Sequence, residues 1–348
     1  MSAEINIQNL SIGYKEAHKT VATALNAQLR QGEMTCLLGA NGKGKSTLMK
    51  SICGFLPTLG GDIYVNGYNA AKLSEKEMAR LIAIVLTDKI AVPHATVYEL
   101  VAYGRSPFTG FMGRLGTHDR QMIDTAIEQC GIAHKKHAAL ASLSDGERQK
   151  ATIAKALAQD TSFIILDEPT AFLDLPARVE IMQLLRQLAS SGKSILMSTH
   201  DLDLALQMSD RLWLLYNDHI KTGSPEDLLL QNAFQEMFSN KGIAFDNKTG
   251  MFKVRYEHQL TFPIKGHGFE YVLLRRALLR KGVKPVKMTA DDDLFMAIKN
   301  DDEAPFELCF ENIGVEQINS VELACQKILD ALQQARVHSS IKTIDDHA

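Results

Sequence analysis

Residues Ile5 to Leu10 alternate apolar and polar side chains, the period-two signature of a strand with one buried face. Farther along the pattern changes. Met34 to Leu38 (MTCLL), Ser162 to Leu166 (SFIIL) and Ser194 to Ser198 (SILMS) are short, nearly continuous apolar runs, as parallel strands covered on both faces require. Each run stops at a chemically loaded stretch: the glycine-rich loop from Gly39 to Gly44, the pair Asp167 and Glu168, and the pair Thr199 and His200. Ligands of open α/β sheets bind at the carboxyl ends of the strands, so these three stretches are placed to share one site. The segment STLMKSICGFL after the glycine loop reads as a helix, which completes the strand, loop and helix that open a nucleotide-binding α/β domain. Ala177 to Leu188 (ARVEIMQLLRQL) spaces its apolar residues as a helix too.

From about Val97 to Ala158 the periodicity is helical, in VYELVAYGR, HDRQMIDTAIEQCGI and DGERQKATIAKALAQ. This predicts a helical subdomain, about residues 88–158, set between strands of the sheet. After Phe245 the character shifts again. Short strands are expected at Met251 to Tyr256, Gln259 to Ile264 and Phe306 to Phe310, and a helix at Phe269 to Lys281. A final amphipathic helix from Ser320 to Ala335 puts Val321, Ala324, Ile328, Leu329 and Leu332 on one face, and the segment VHSSIKTIDDHA after it is expected to fray. The predicted organisation is therefore an α/β domain over residues 1–244 and a small accessory α+β domain over residues 245–348.

Composition narrows the class. Lys and Arg number 38 against 41 Asp and Glu, a formal net charge of −3, which argues against a protein that mainly coats nucleic acid. No continuous uncharged apolar stretch reaches the ~18 residues that a membrane helix needs, so work at a membrane would require another chain to span it. Cys36, Cys53, Cys130, Cys309 and Cys325 are scattered without a CxxC pair and read as reduced thiols of a cytosolic protein. The N-terminus carries Glu4 and no long apolar stretch, unlike a secretory signal.

Gly39-Ala40-Asn41-Gly42-Lys43-Gly44-Lys45-Ser46 fits GxxxxGK[ST] in full and is followed by Thr47. Glycines let the backbone fold into a nest of N–H donors around phosphate oxygens; Lys45 supplies a cation to the β- and γ-phosphates, and the Ser46 hydroxyl can ligate Mg²⁺. Phosphoryl transfer also needs a carboxylate for the metal and a group to polarise water. Asp167 and Glu168, directly after an apolar strand, suit those two tasks. Ser144 with Glu147 three residues on forms a capping box that starts a helix.

The segment Leu143-Ser144-Asp145-Gly146-Glu147, just upstream of Asp167, resembles the LSGGQ signature of ATP-binding cassette (ABC) ATPases, and the other motifs follow in that family's order. The resemblance covers roughly the first 240 residues and implies a P-loop ABC ATPase core with ATP and Mg²⁺ as cofactors. It implies that Ser144, Asp145, Gly146 and Glu147 face the ATP held by a second subunit, that Tyr14 stacks on adenine, and that Asp174, in the D-loop AFLD, contacts the partner. It also implies that His200 senses the γ-phosphate and that Ser46 and Asp167 organise the metal. Two positions depart from the family pattern: Thr87 stands where the Q-loop glutamine belongs, and Asp145 replaces a signature glycine. Both are expected to slow basal hydrolysis.

Within the family, VPHATVYELVAYGRSPFTGFMGRLG, ALASLSDGERQK and TAFLDLPARVEI look like the ATPases of importers for iron–siderophore, haem and cobalamin complexes. That resemblance implies a homodimer working under a separate transmembrane permease, with a substrate-binding protein, at the cytoplasmic face of the inner membrane and without nucleic acid. The competing class is an ABC ATPase acting on nucleic acid or ribosomes, whose members usually carry two cassettes or a long coiled-coil insertion. In the last hundred residues His258, His267, Cys309, Cys325, His338 and His347 lack metal-ligand spacing, and Arg275, Arg276, Arg280 and Lys281 read as a solvated basic face.

Overall fold

The computed structural model describes residues 4–15, 17–86, 95–110, 113–216, 219–238, 243–246, 251–254, 260–290, 292–299, 303–310 and 314–345. Thr87, His258 and His347 lie outside them. The alternating N-terminal segment forms β1 (Glu4–Tyr14), which continues past the predicted Leu10. It pairs antiparallel with β2 (Lys19–Arg30), a strand the sequence pattern did not reveal. Asn9 and Ala24 sit at φ +46° and +54°, and the register shifts between Ile7 and Leu10. These bulges carry both strands through breaks in their alternation.

The apolar run β3 (Met34–Leu38) is buried at every position, and its glycine loop leads into α1 (Lys45–Ile52). There follow β4 (Gly60–Val65), β5 (Tyr68–Asn69), α2 (Glu75–Leu81) and β6 (Ile82–Val85). The helical stretch resolves into α3 (Val97–Ala102), α4 (Thr117–Gln129) and α5 (Asp145–Ala158). Beyond it come β7 (Phe163–Leu166), α6 (Leu175–Ser190), β8 (Ser194–Ser198), α7 (Leu202–Met208), β9 (Arg211–Leu215), β10 (Ile220–Gly223), α8 (Pro225–Leu230) and α9 (Ala233–Phe238).

A six-stranded sheet has the order β10-β9-β3-β8-β7-β6, parallel except for the antiparallel β9–β10 pair. Alternate residues of β3 serve two cores. Met34, Cys36 and Leu38 join Ile153 and Leu157 of α5 and Ile181 and Leu185 of α6, whereas Leu37 joins Leu48 and Ile52 of α1 and Ile5 and Ile7 of β1. Burying one such side chain contributes roughly 1.5–3 kcal/mol, so the double covering is what selects the continuous apolar runs. The second covering layer is the antiparallel sheet β2-β1-β4-β5. In the parallel register Leu37 is level with Ser198, and Leu166 with Met197. The stretches after β3, β7 and β8 therefore emerge side by side.

Next in the chain, β11 (Ile243–Asp246) and β12 (Met251–Val254) form a two-stranded sheet. The following elements are β13 (Leu260–Lys265), α10 (Phe269–Arg280), β14 (Val283–Lys287), β15 (Leu294–Ile298), β16 (Phe306–Phe310), β17 (Gly314–Ile318) and α11 (Val321–Asp345). The contacts divide the chain into two units, Met1–Ser239 with Phe245–Phe252, and Asn240–Ala244 with Lys253–Ala348. The second unit has a sheet of order β14-β13-β15-β16-β17 and its own core around Phe262, Leu274, Leu278, Phe306 and Ile328. The predicted face of the last helix, Val321, Ala324, Ile328, Leu329 and Leu332, packs in or against that core. Fraying from Val337 was expected, but α11 runs on to Asp345, because each residue added to an existing helix closes a hydrogen bond without a new nucleus. Among the described residues no helix is long and apolar enough to cross a membrane.

Candidate functional site

The loop after β3 depends on glycine at two points. Gly42 and Gly44 hold φ of +76° and +98°, and a Cβ on Gly44 would stand 2.3 Å from Val21 Cγ1. Only glycine meets both demands. The turn closes with the Lys43 N–H donating to Ala40 O at 3.2 Å, and α1 begins at Lys45. The first amides of a helix have no partner within it, which suits the loop to an anion. Lys45 is buried and its Nζ donates to Gly39 O at 2.9 Å, so the ammonium is held across the loop, 3.5 Å from His200 Nε2.

One hydroxyl organises the next two strand ends. Ser198 Oγ donates to Asp167 Oδ1 at 2.6 Å and accepts from the Glu168 N–H at 2.9 Å. Asp167 is buried, and its own N–H donates to Val85 O. Glu168 has a φ of +50°, rare for a residue with a side chain, and its Oε1 lies 2.7 Å from His200 Nε2. That backbone strain turns the carboxylate toward the glycine loop, a cost that active sites tolerate.

The loop, Glu168 and His200 meet in a cavity of about 770 Å³ lined by Tyr14, Asn41, Gly42, Lys43, Gly44, Lys45, Ser46, Thr47, Glu168 and His200, and also by Lys19, Thr20 and Val21; Asp167 and Ser198 do not line it. Tyr14 is exposed, with its hydroxyl 3.2 Å from Thr47 Oγ1. Gly39 and Ala40 do not line the cavity; their carbonyls accept from Lys45 Nζ and the Lys43 N–H. Sequence reasoning missed Lys19, Thr20 and Val21 because β2 itself went unrecognised. It also missed Ser198, although a serine closing an apolar run just before Thr199 and His200 was a usable signal.

The remaining expected residues lie elsewhere. Ser144 caps α5 and exchanges hydrogen bonds with Glu147: the Glu147 N–H donates to Ser144 Oγ at 3.2 Å, and the Ser144 N–H to Glu147 Oε2 at 2.9 Å. The Ser144 N–H, with Lys135 Nζ at 3.3 Å, holds the Glu147 carboxyl below the usual range. Asp145 is exposed in the first turn of α5. Asp174 caps α6 by accepting from the Ala177 N–H at 3.0 Å. None of Ser144, Asp145, Gly146, Glu147 or Asp174 lines the 770 Å³ cavity.

A glycine-loop nest with a lysine, a buried aspartate and a glutamate–histidine pair at three parallel strand ends defines a P-loop nucleotide-binding protein. A family model described as ABC transporter matches residues 22–171. An uncharacterized ABC transporter ATP-binding protein of Methanocaldococcus jannaschii is 34% identical over 276 residues, 78% of this chain and 94% of that protein. The iron(3+)-hydroxamate import ATP-binding protein FhuC of Bacillus subtilis is 37% identical over 236 residues, 67% of this chain and 87% of FhuC. Among solved structures, a chain of an inward-facing ABC transporter assigned to the metal-chelate type superposes with a TM-score of 0.61 at 26% identity, covering 72% of this chain and 95% of that one. The chain belongs to the family of ABC transporter ATP-binding proteins. It is an ATP-binding and ATP-hydrolysing subunit, and transporter relatives of this kind speak against the nucleic-acid ATPase.

Proposed function

We propose that the chain is the peripheral ATPase of an importer for a metal chelate, an iron–siderophore or haem complex or cobalamin, driving a separate permease from the cytoplasmic face of the inner membrane. Residues 1–244 act as the cassette, and residues 245–348 as an accessory domain. The reading rests on the meeting of Lys45, Glu168 and His200 in one cavity, in a chain with a relative named for iron–hydroxamate import.

In this reading the Gly39 to Gly44 backbone, Lys45, Ser46 and Thr47 hold the phosphates, and Tyr14 stacks on the base. Ser46 and Asp167 offer the hard oxygen ligands that Mg²⁺ takes, with Ser198 fixing the carboxylate. The metal would neutralise charge building on the phosphates. Glu168 polarises the attacking water and His200 holds Glu168 in place while reaching the γ-phosphate. Because Ser144, Asp145, Gly146 and Glu147 lie off the cavity, a second copy has to bring its own signature to this ATP, and Asp174 meets that copy. Support for a permease contact comes from a groove of about 760 Å³ lined by Phe55, Met78, Ile82, Ile84, Pro107 and Gln159, among others. Phe55 is 58% exposed, and the strand bearing Ile82 and Ile84 ends at Val85, two positions before Thr87 in the sequence. An amphipathic helix of the permease fits such a groove of mixed apolar and polar lining. A substrate-binding protein delivers the cargo in the same scheme.

The test is co-purification from solubilised membranes. Recovery with a many-span permease, and metal-chelate-stimulated ATPase in the reconstituted complex, are expected. Purification as a wholly soluble protein bound to nucleic acid would overturn the transport role.

A further inference from the structure

Glu168 and His200 form a wall with a cavity on each side. Besides the nucleotide cavity, they line a second one of about 180 Å³, together with Thr170, Ala171, Arg178, Thr199 and Asp201. That volume has room for several water-sized spheres and therefore for a small tetrahedral ion. Its donors are placed for an anion. Arg178 Nε donates to Leu173 O at 2.8 Å, which fixes the guanidinium, and Nη1 stands 3.6 Å from Asp201 Oδ2. Nη2 makes no hydrogen bond to the described residues. Thr170 is only 6% exposed, and its hydroxyl likewise makes no hydrogen bond to the described residues. Thr199 Oγ1 accepts from the Asp201 N–H at 3.0 Å, which leaves its hydroxyl hydrogen for a ligand. The two carboxylates that face the space are already engaged: Asp201 by the Leu204 N–H at 3.1 Å and by Arg178, and Glu168 by His200.

We propose that this second cavity is the exit for inorganic phosphate, with Arg178 and Thr170 as its receiving groups. The inference rests on ATP hydrolysis in the neighbouring cavity. There, water adds to the γ-phosphorus, the bond to the ADP oxygen breaks, and the proton of the water passes to Glu168. The product orthophosphate lies against Glu168 and His200, with ADP behind it. Parting that pair opens a way out that does not require ADP to leave first. A forked guanidinium and a buried hydroxyl draw a phosphate in. The nearby carboxylates keep it from binding tightly, which suits a passage better than a store.

The test uses the full-length chain with Mg·ATP in rapid mixing, following cleaved phosphate by acid quench and free phosphate with a fluorescent phosphate-binding protein. In Arg178→Gln the cleavage rate is expected within about twofold of the wild type, with release slowed about fivefold or more, so that a burst of cleaved but unreleased phosphate appears. Thr170→Val, nearly isosteric, is expected to move release in the same direction by a smaller factor. It carries the test alone if Arg178→Gln does not fold. Release keeping pace with cleavage in the folded variants, or cleavage falling in step with release, would overturn the proposal. Absence of cleavage in the wild-type chain would instead remove the hydrolytic reading beneath it.

Discussion

Glu168 Oε1 and His200 Nε2 lie 2.7 Å apart although their residues follow different strands, β7 and β8. Neither is placed by its own sequence neighbours alone. The contact exists because Leu166 and Met197 are level in the sheet, and because Ser198 anchors the Glu168 amide.

Glu168→Gln keeps a hydrogen-bonding group toward His200 but removes the base. General-base removal costs about 10²- to 10⁴-fold in rate, so turnover is expected to fall by that order while ATP binding persists. An ATP-bound dimer should accumulate, visible by size exclusion with light scattering. Full turnover in this variant would take Glu168 out of the chemistry.

Tyr14 is expected to matter as a ring. A stacked base is worth about 1–3 kcal/mol, so Tyr14→Ala should raise KM for ATP about tenfold or more. Tyr14→Phe loses only the contact with Thr47 and should stay within about threefold, since a single neutral hydrogen bond contributes roughly 0.5–1.5 kcal/mol. Steady-state kinetics on both variants separates the two. Equal losses would mean that the hydroxyl, not the ring, is what counts.

Asp145 sits in the first turn of α5, where a carboxylate favours the helix by about 0.3–1 kcal/mol but repels an approaching phosphate. Asp145→Gly should therefore melt slightly earlier and hydrolyse ATP faster. Thr87→Gln, restoring a longer side chain, should also raise the rate. Basal ATPase assays beside a melting curve read both changes. Unchanged rates would make the two departures neutral.

Acid should weaken α5 first at its cap. The folded chain holds the Glu147 carboxyl below its ordinary value of 4.5, chiefly through the Ser144 N–H. A group with a lowered folded pKa stabilises the fold above its unfolded pKa and loses that contribution as pH falls through the folded one. Melting temperature should then drop as pH falls below 4.5, and Glu147→Gln should flatten the drop. Melting curves from pH 6 to pH 3 (about the carboxylate range) check this; identical slopes would exclude Glu147.

Thiol labelling should report burial. Desolvation pushes Cys36 and Cys130 up to about 12 and raises Cys53 as well, so all three stay protonated and unreactive in the native chain. Cys309, half-buried on β16, should be alkylated first. Mass spectrometry after a timed pulse gives the order, and early labelling of Cys36 would contradict the buried sheet.

Much of the site was legible as short strings. The glycine loop, Asp167 with Glu168, Thr199 with His200, and the Ser144 capping box each need residues close together in the chain. Apolar runs flanking them marked the buried parallel strands. β2 was not legible, because the irregularity at Ala24 breaks the alternation that identifies a strand. Losing β2 meant losing Lys19, Thr20 and Val21 from the cavity wall.

Local sequence thus determined which chemical groups the chain carries and the turns that display them, since glycine conformation, helix caps and apolar runs act over a few residues. Tertiary structure alone decided that Lys45, Glu168 and His200 meet, that Ser198 joins Asp167 to Glu168, and that Arg178 faces a second cavity behind them. Those relations span strands far apart in the chain. They follow from the register of a parallel sheet, which is set by packing on both its faces and leaves no periodic mark on the residues it brings together.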